Sequence, residues 1–217
     1  MKKEIKIEIW SDFSCPYCYI GKVKLNKALE NFKHKDKVKL IYKSYIINPN
    51  APLTNDLNAY LTYAKDKNIN EIYARQHIGF IKSSAKKVGL NFNYDILQMT
   101  NTNTAHRLAK WAKSLNKEAL LIDLFLEAYF VRGLNLASKD DLLLLIDELN
   151  LDHNEALDII VSKKYEEEVL EDLNLSKEKG IVSIPYFLFN DKYFIRGSKP
   201  LEDFVNILND LEKELEL

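Results

Sequence analysis

The chemistry legible in this chain sits in four consecutive residues, Cys15-Pro16-Tyr17-Cys18. They follow an alternating apolar stretch, Ile5, Ile7 and Ile9, and lead into a plausible helix from about Cys15 to Asn31. A short strand ending in a Cys-x-x-Cys pair at the mouth of a helix is a redox arrangement. The first turn of a helix presents unpaired backbone N–H groups and a partial positive charge, and both favour a thiolate over a thiol. Cys15, at the outer edge of the turn, is the expected nucleophile. Cys18 comes one helical turn later on the same side, where it can attack a mixed disulfide formed at Cys15.

Two plainer readings compete. One is half of a zinc site. The chain has only two cysteines, so a four-cysteine site within it is excluded, and no pair among His34, His77, His106 and His153 has finger-like spacing. No metal is expected on that ground. The other is an inert buried pair, which leaves unexplained why both thiols flank a proline where a strand meets a helix.

At 217 residues, the chain is long enough for one good core, or for a small domain with a large insertion. A hydrophobic share of 47% and a charged share of 29% are ordinary for a globular protein. Lys and Arg (31) balance Asp and Glu (32), so no overall field favours nucleic acid or an anionic membrane. The longest apolar run, Leu142 to Ile146, is far short of the roughly 20 residues that span a bilayer. Met1-Lys2-Lys3-Glu4 is followed by alternating charge rather than by a signal peptide's continuous apolar segment, so a cytoplasmic location is expected. In a reducing cytosol, a cysteine pair is catalytic or metal-binding more often than a structural staple.

Lys3 to Trp10 reads as a first strand and Val38 to Ile47 as a second, with the Cys15 helix between them. Ser14 is the candidate N-cap of that helix. Asn48-Pro49-Asn50-Ala51-Pro52 ends the second strand sharply. From about Thr54 to Glu178 apolar residues recur at three and four. Helices are predicted over 58–67, 72–88, 94–116, 117–131, 138–149 and 154–179, with Ser138 to Asp141 resembling a capping box. Leu120, Leu121, Leu124, Phe125, Leu142, Leu145 and Ile146 are the expected core of this block. After Gly180 a loop enters a third strand by Phe189, and Asn190-Asp191-Lys192 turns into a fourth, Tyr193 to Arg196. A last helix follows Pro200 with the stripe Leu201, Phe204, Val205, Leu208 and Leu211.

This order resembles the thioredoxin fold with a helical insertion, as in the DsbA superfamily, and is most similar to its FrnE-like branch. Three segments carry the resemblance: Trp10 to Gly21 (WSDFSCPYCYIG), which is specific; Gly180 to Phe187 (GIVSIPYF), moderately so; and Asn103 to Leu108 (NTAHRL), weak alone. The fold class implied is α/β, a thioredoxin-like βαβ…ββα fold with a large all-helical insertion, DsbA-like. Residues 1–53 and 180–217 would form the two halves of the thioredoxin-like domain, and 54–179 the insertion. The resemblance also implies a cis Ile184–Pro185 bond. Proline has no N–H to compete in a substrate groove, and the Ile184 backbone can pair with an extended thiol substrate. A proline that merely begins a strand is the plainer alternative.

Two departures from the family pattern matter. Pro16-Tyr17 stands where DsbA has Pro-His. Tyrosine adds no positive charge beside the nucleophile, so a less oxidising disulfide is expected. Related kappa-class glutathione transferases and 2-hydroxychromene-2-carboxylate isomerases use serine or another non-redox residue at the nucleophile position. Here both cysteines are intact, which favours disulfide exchange. The loop Arg196-Gly197-Ser198-Lys199-Pro200 also differs from the ending common in the branch.

Near the motif, Asp12 can accept a proton as the thiols exchange or simply close its loop. Lys43 sits either beneath the active-site helix or in solvent. His106 and Arg107 lie early in a helix that the resemblance places close to the site. Pro16 and Tyr17, with Ile184 and Pro185, are the expected substrate contacts. The expected function is a thiol–disulfide oxidoreductase that exchanges a Cys15–Cys18 disulfide with a protein or small thiol substrate, without a dissociable cofactor. The first rival is a glutathione-dependent transferase or isomerase on the same fold, with glutathione as co-substrate. The second is a metal-binding or redox-sensing adaptor without turnover. The scattered tyrosines leave a dimer face open and decide nothing.

Overall fold

The structure, a computed structural model, describes residues 3–217; Met1 and Lys2, where the expected first half begins, lie outside the described residues. Its centre is β1 (Ile5–Ser11), whose alternating isoleucines are all but fully buried. β1 pairs in parallel with β2 (Val38–Ser44), from Ile5 opposite Val38 to Ser11 opposite Ser44. On its other edge it runs antiparallel to β3 (Tyr186–Phe189), which pairs in turn with β4 (Tyr193–Arg196). The sheet order is β2-β1-β3-β4. Asn190 and Asp191 both take positive φ and Lys192 N–H returns to the Phe189 carbonyl, which is the turn chemistry a tight hairpin needs.

Ile5, Ile7 and Ile9 share a core with Ile20 and Leu25 of α1 (Pro16–Glu30), with Phe187, and with Phe204 and Leu208 of α9 (Leu201–Leu215). Trp10 points to the opposite face and packs with Ile181 and Leu188. That face lies under α8 (Glu166–Glu178), where the Trp10 indole N–H meets the Asp172 carbonyl at 3.4 Å.

Seven helices, α2 to α8, fill the space between β2 and β3: Ala59–Lys67, Glu71–Lys86, Asn103–Ser114, Glu118–Glu127, Lys139–Glu148, His153–Val161 and Glu166–Glu178. Two expected helices are altered. The one predicted over 94–116 begins only at Asn103. Residues before it find other partners: Asn93 N–H donates to Phe130 O, Asn101 N–H to Pro52 O, and Thr100 Oγ1 to Asn135 Oδ1. The one predicted over 154–179 breaks at Ser162 to Tyr165. Arg107 causes the break to persist: its buried guanidinium donates to the carbonyls of Ile159 (2.5 Å), Ser162 (2.7 Å) and Lys164 (3.3 Å). These are carbonyls freed at a helix end, which cationic donors satisfy well.

Three smaller corrections follow. β2 stops at Ser44 rather than Ile47. Leu120 is exposed, whereas Leu121, Phe125, Leu142, Leu145 and Ile146 are buried as expected. In the Ser138 cap, Ser138 Oγ accepts from Asp141 N–H, but the Asp141 carboxylate turns to Asn135 N–H instead of closing the box.

Gly21 lets α1 approach the sheet closely. A Cβ there would lie 3.1 Å from Phe187 Cζ and 3.2 Å from Pro185 Cγ. Phe187 is fully buried and locked edge-on against Phe204, so it has little room to yield. Gly21→Ala is expected to cost about 1–3 kcal/mol of stability. Urea unfolding of the two proteins checks this, and an unchanged midpoint would show that the contact relaxes freely.

Candidate active site

Cys15 is itself the N-cap of α1, with extended backbone (φ −91°, ψ 108°), and the Cys18 N–H donates to its Sγ at 3.3 Å. The expected cap, Ser14, is used otherwise: its hydroxyl and N–H both donate to Asp12. A sulfur that accepts an N–H in the first turn of a helix sits where negative charge is favoured. Both cysteines are free thiols and both are buried. Burial pushes the Cys18 thiol well above its ordinary range, and the neighbouring Cys15 sulfur adds to this as hydrogen-bond partner and as charge. Proline at the first helical position costs the helix no hydrogen bond.

Behind the motif lies Asp12, whose side chain has no exposed surface. Its carboxylate accepts from Ser14 N–H (3.2 Å), Ser14 Oγ (3.0 Å), Ile47 N–H (2.7 Å) and Thr102 Oγ1 (2.8 Å), with His106 Nε2 at 3.4 Å. Burial alone would raise this carboxyl. The hydrogen bond and charge of His106, with the Ile47 and Thr102 donors, outweigh it and hold the group below its ordinary value. The His106 ring also packs on Phe13, with ring centroids 4.9 Å apart.

The predicted residues divide clearly. Asp12 and His106 meet directly behind the motif, and Cys15, Pro16, Tyr17 and Ile184 line one cavity of about 480 Å³. The Ile184–Pro185 peptide is cis, and buried Pro185 packs toward α1 at Gly21. Lys43 lies elsewhere. It is half-buried against the Asp172 carboxylate on α8 at 2.9 Å, so it neither reaches the active-site helix nor stands free in solvent. Arg107 serves the end of α7 and touches no thiol. Among the described residues, no cluster of three or more His, Cys, Asp or Glu side chains is arranged for a metal ion. No helix among them is long and apolar enough to cross a membrane.

The sequence did not point to the rest of the cavity wall. Tyr63 of α2, Tyr94, Met99 and Thr100 of the irregular segment, and Tyr129 enclose it. Tyr129 belongs to a π turn, Ala128–Arg132, that extends α5 and closes with Gly133 N–H on the Ala128 carbonyl. Gly133 is needed there: its φ is 72°, and a Cβ would lie 2.7 Å from the Ile96 carbonyl oxygen. Apolar residues read as core in any helix, so only a π insertion, which leaves no mark in a period count, could have flagged Tyr129.

Comparison with known proteins gives a consistent picture. The family described as "DSBA-like thioredoxin domain" matches residues 6–209. A probable DsbA oxidoreductase of Streptomyces coelicolor has a crystal structure that superposes with a TM-score of 0.91 at 25% identity, covering 97% of this chain and 91% of that one. The cytosolic disulfide reductase DsbM of Pseudomonas aeruginosa, solved with GSH, superposes at 0.63 with 17% identity and 97% of each chain covered. The uncharacterised protein YwbO of Bacillus subtilis is 23% identical over 213 residues, 97% of this chain and 98% of its own.

Asp12→Ala would leave several buried donors without an acceptor, a loss of about 3 kcal/mol or more. The carboxyl is held below its ordinary value of 3.8 in the folded state. Its contribution is therefore complete above that value and fades as pH falls through the lower native one. Urea unfolding should show a wild-type advantage that is constant near neutrality and narrows only below about pH 3.8. An advantage that has already disappeared near pH 6 as the pH falls would refute the buried carboxylate as its source.

Proposed function

Since the chain belongs to the DSBA-like thioredoxin domain family, we propose that it is a thiol–disulfide oxidoreductase working through a mixed disulfide on Cys15. The observation that carries this reading is the inequality of the two thiols. Cys15 caps the helix and lines the cavity, while Cys18 sits behind it with a strongly raised thiol pKa and its N–H on the Cys15 sulfur.

In the reducing direction, the Cys15 thiolate attacks one sulfur of a substrate disulfide. The substrate S–S bond breaks, the Cys15–substrate disulfide forms, and the first leaving sulfur takes a proton from solvent. Cys18 then attacks Cys15 Sγ. Its proton passes to the departing second substrate sulfur, and the protein is left as the Cys15–Cys18 disulfide. Thiolate attack along the S–S axis is the chemistry such a site favours. The reverse sequence oxidises a dithiol substrate. In this reading no dissociable cofactor is needed.

Asp12 acts here as an anchor rather than as the proton acceptor. Its lone pairs are engaged by donors and its carboxyl is held low, so it is a poor base toward a thiol. His106 stabilises that charge. Ile184, beside Cys15 in the cavity, offers its backbone to an extended substrate, and Pro185 brings no competing N–H. We place this activity in the cytoplasm, where a dithiol would be kept reduced. Glutathione, present with the similarly folded DsbM, is a second thiol that this reading admits.

Reduction of insulin by wild type, Cys15→Ser and Cys18→Ser tests the proposal. Cys15→Ser should abolish turnover, and Cys18→Ser should stall as a trapped mixed disulfide visible by mass. At pH 7, iodoacetamide should label Cys15 well ahead of Cys18. Turnover that survives Cys18→Ser would favour the glutathione-dependent transferase or isomerase, and turnover that survives Cys15→Ser would refute exchange at this site.

A further inference from the structure

Of the six glycines, five have a reason inside the chain. Gly21 sits against Phe187 and Pro185, and Gly89, Gly133, Gly180 and Gly197 all take positive φ. Gly79 has neither. It lies in the middle of α3, and a Cβ there would meet no atom within 4 Å. Glycine inside a helix lowers its stability relative to alanine, and no contact within the chain offsets that loss here.

The surroundings of Gly79 supply a second observation. On one side α3 buries Ala74, Ile78, Ile81 and Ala85, and Ile81 reaches the wall of the cavity beside Cys15. On the other side, at helical spacing, stand Ile72, Tyr73, Gln76, Gly79, Phe80 and Ser83, all exposed. Phe80 is 70% exposed, Ile72 69% and Tyr73 61%. Single apolar residues on a surface are ordinary, but three large ones gathered around a glycine on one helix face form a patch. This face presents roughly 500 Å² of surface, so two copies pressed together would bury about 1,000 Å², where specific interfaces begin.

We infer that the outer face of α3 docks on the same face of a second copy of this chain, antiparallel, about a two-fold axis at Gln76. A contact of this symmetry must be its own complement, and this face is. The axis sets Ile72 opposite Phe80 of the second copy. It sets Tyr73 opposite the second copy's Gly79, so a ring enters the space that a Cβ would fill. The two Gln76 side chains meet on the axis, where each amide can donate to the other. Charge fits the same arrangement. Antiparallel helices oppose their dipoles, Glu71 of one copy comes beside Lys82 of the other, and the Lys82, Lys86 and Lys87 ends stay apart. A parallel pair would bring those lysines together. α3 also holds α2: the Arg75 guanidinium lies 4.2 Å from the Tyr60 ring centroid, and the Tyr63 hydroxyl is 2.9 Å from His77 Nδ1. Tyr63 and Ile81 both line the cavity, so the dimer braces the helix pair that walls it. The docking itself needs nothing from the chemistry at Cys15.

Sedimentation velocity of the full chain, kept reduced, from about 1 to about 500 µM tests this. A contact of this size should give a monomer–dimer equilibrium with a dissociation constant in the micromolar range. Phe80→Ser and Gly79→Leu should each weaken the dimer at least tenfold. Gly79→Leu should at the same time raise the urea midpoint of the dilute monomer, because leucine favours the helix and meets nothing within the chain. Those opposite signs separate a lost interface from a damaged fold. The axis has its own readout. In a chain carrying Cys15→Ser and Cys18→Ser, Gln76→Cys should form an intermolecular disulfide in air at least tenfold faster than Val161→Cys, an exposed position on α7. A chain that stays monomeric throughout would overturn the inference and leave the face to a different protein. A dimer that persists in both Phe80→Ser and Gly79→Leu would overturn it by placing the contact elsewhere, and equal disulfide rates would overturn the antiparallel register. None of these results bears on exchange at Cys15, which the insulin assay reads separately.

Discussion

A carboxylate removed entirely from water has to be neutralised by donors that stay in place, and Asp12 imposes that requirement on this molecule. Its partners come from three separate stretches: Ser14 before α1, Ile47 beyond β2, and Thr102 with His106 at the start of α4. The loop that presents Cys15, the exit from the edge strand and the entry to the helical block are therefore set by one charge. A change in any of the three moves the others, because a buried ion tolerates little slack in its shell.

Asp172 repeats the device one turn along α4, where Lys110 takes the place that His106 has beside Asp12. It accepts from Ser44 N–H at 2.8 Å and pairs with Lys110 and Lys43. β2 is an edge strand, and an edge leaves backbone groups open to stray pairing. α8 covers the end of that edge with a carboxylate held by two lysines. The end of β2 and the chain just beyond it are thus held by two acids, Asp172 at Ser44 and Asp12 at Ile47, one on the last helix of the insertion and one in the thiol loop.

How much of this the sequence disclosed depends on how local the cause was. β1, α1 and the β3–β4 hairpin were legible, because alternation, helical spacing and the Asn190-Asp191 turn act over a few residues. The break between α7 and α8 was not. Its cause, Arg107, lies more than fifty residues upstream in sequence, and a period count from 154 to 179 cannot register a distant guanidinium. The late start of α4 has the same origin, since Pro52, Phe130 and Asn135 supply the partners that replace helical bonds. At the site, the thiols and Asp12 stood out by their spacing. The cis geometry at Pro185 was expected only from family likeness. Tyr129 was hidden, because a tyrosine beside phenylalanine at helical spacing looks like any other buried aromatic.

The π turn that carries Tyr129 contains one more residue than the α turn it replaces. Deleting a single residue there would restore a regular helix and rotate the downstream chain by about 100°, taking a different side chain to the wall beside Cys15. Length variation at this one position can thus exchange the Tyr129 and Phe130 part of the cavity lining without substituting the thiols, the sheet or the buried acids. Among natural variants of this architecture, indels between 128 and 132 are where a shift in ligand preference would be written, more than point substitutions around the cysteines.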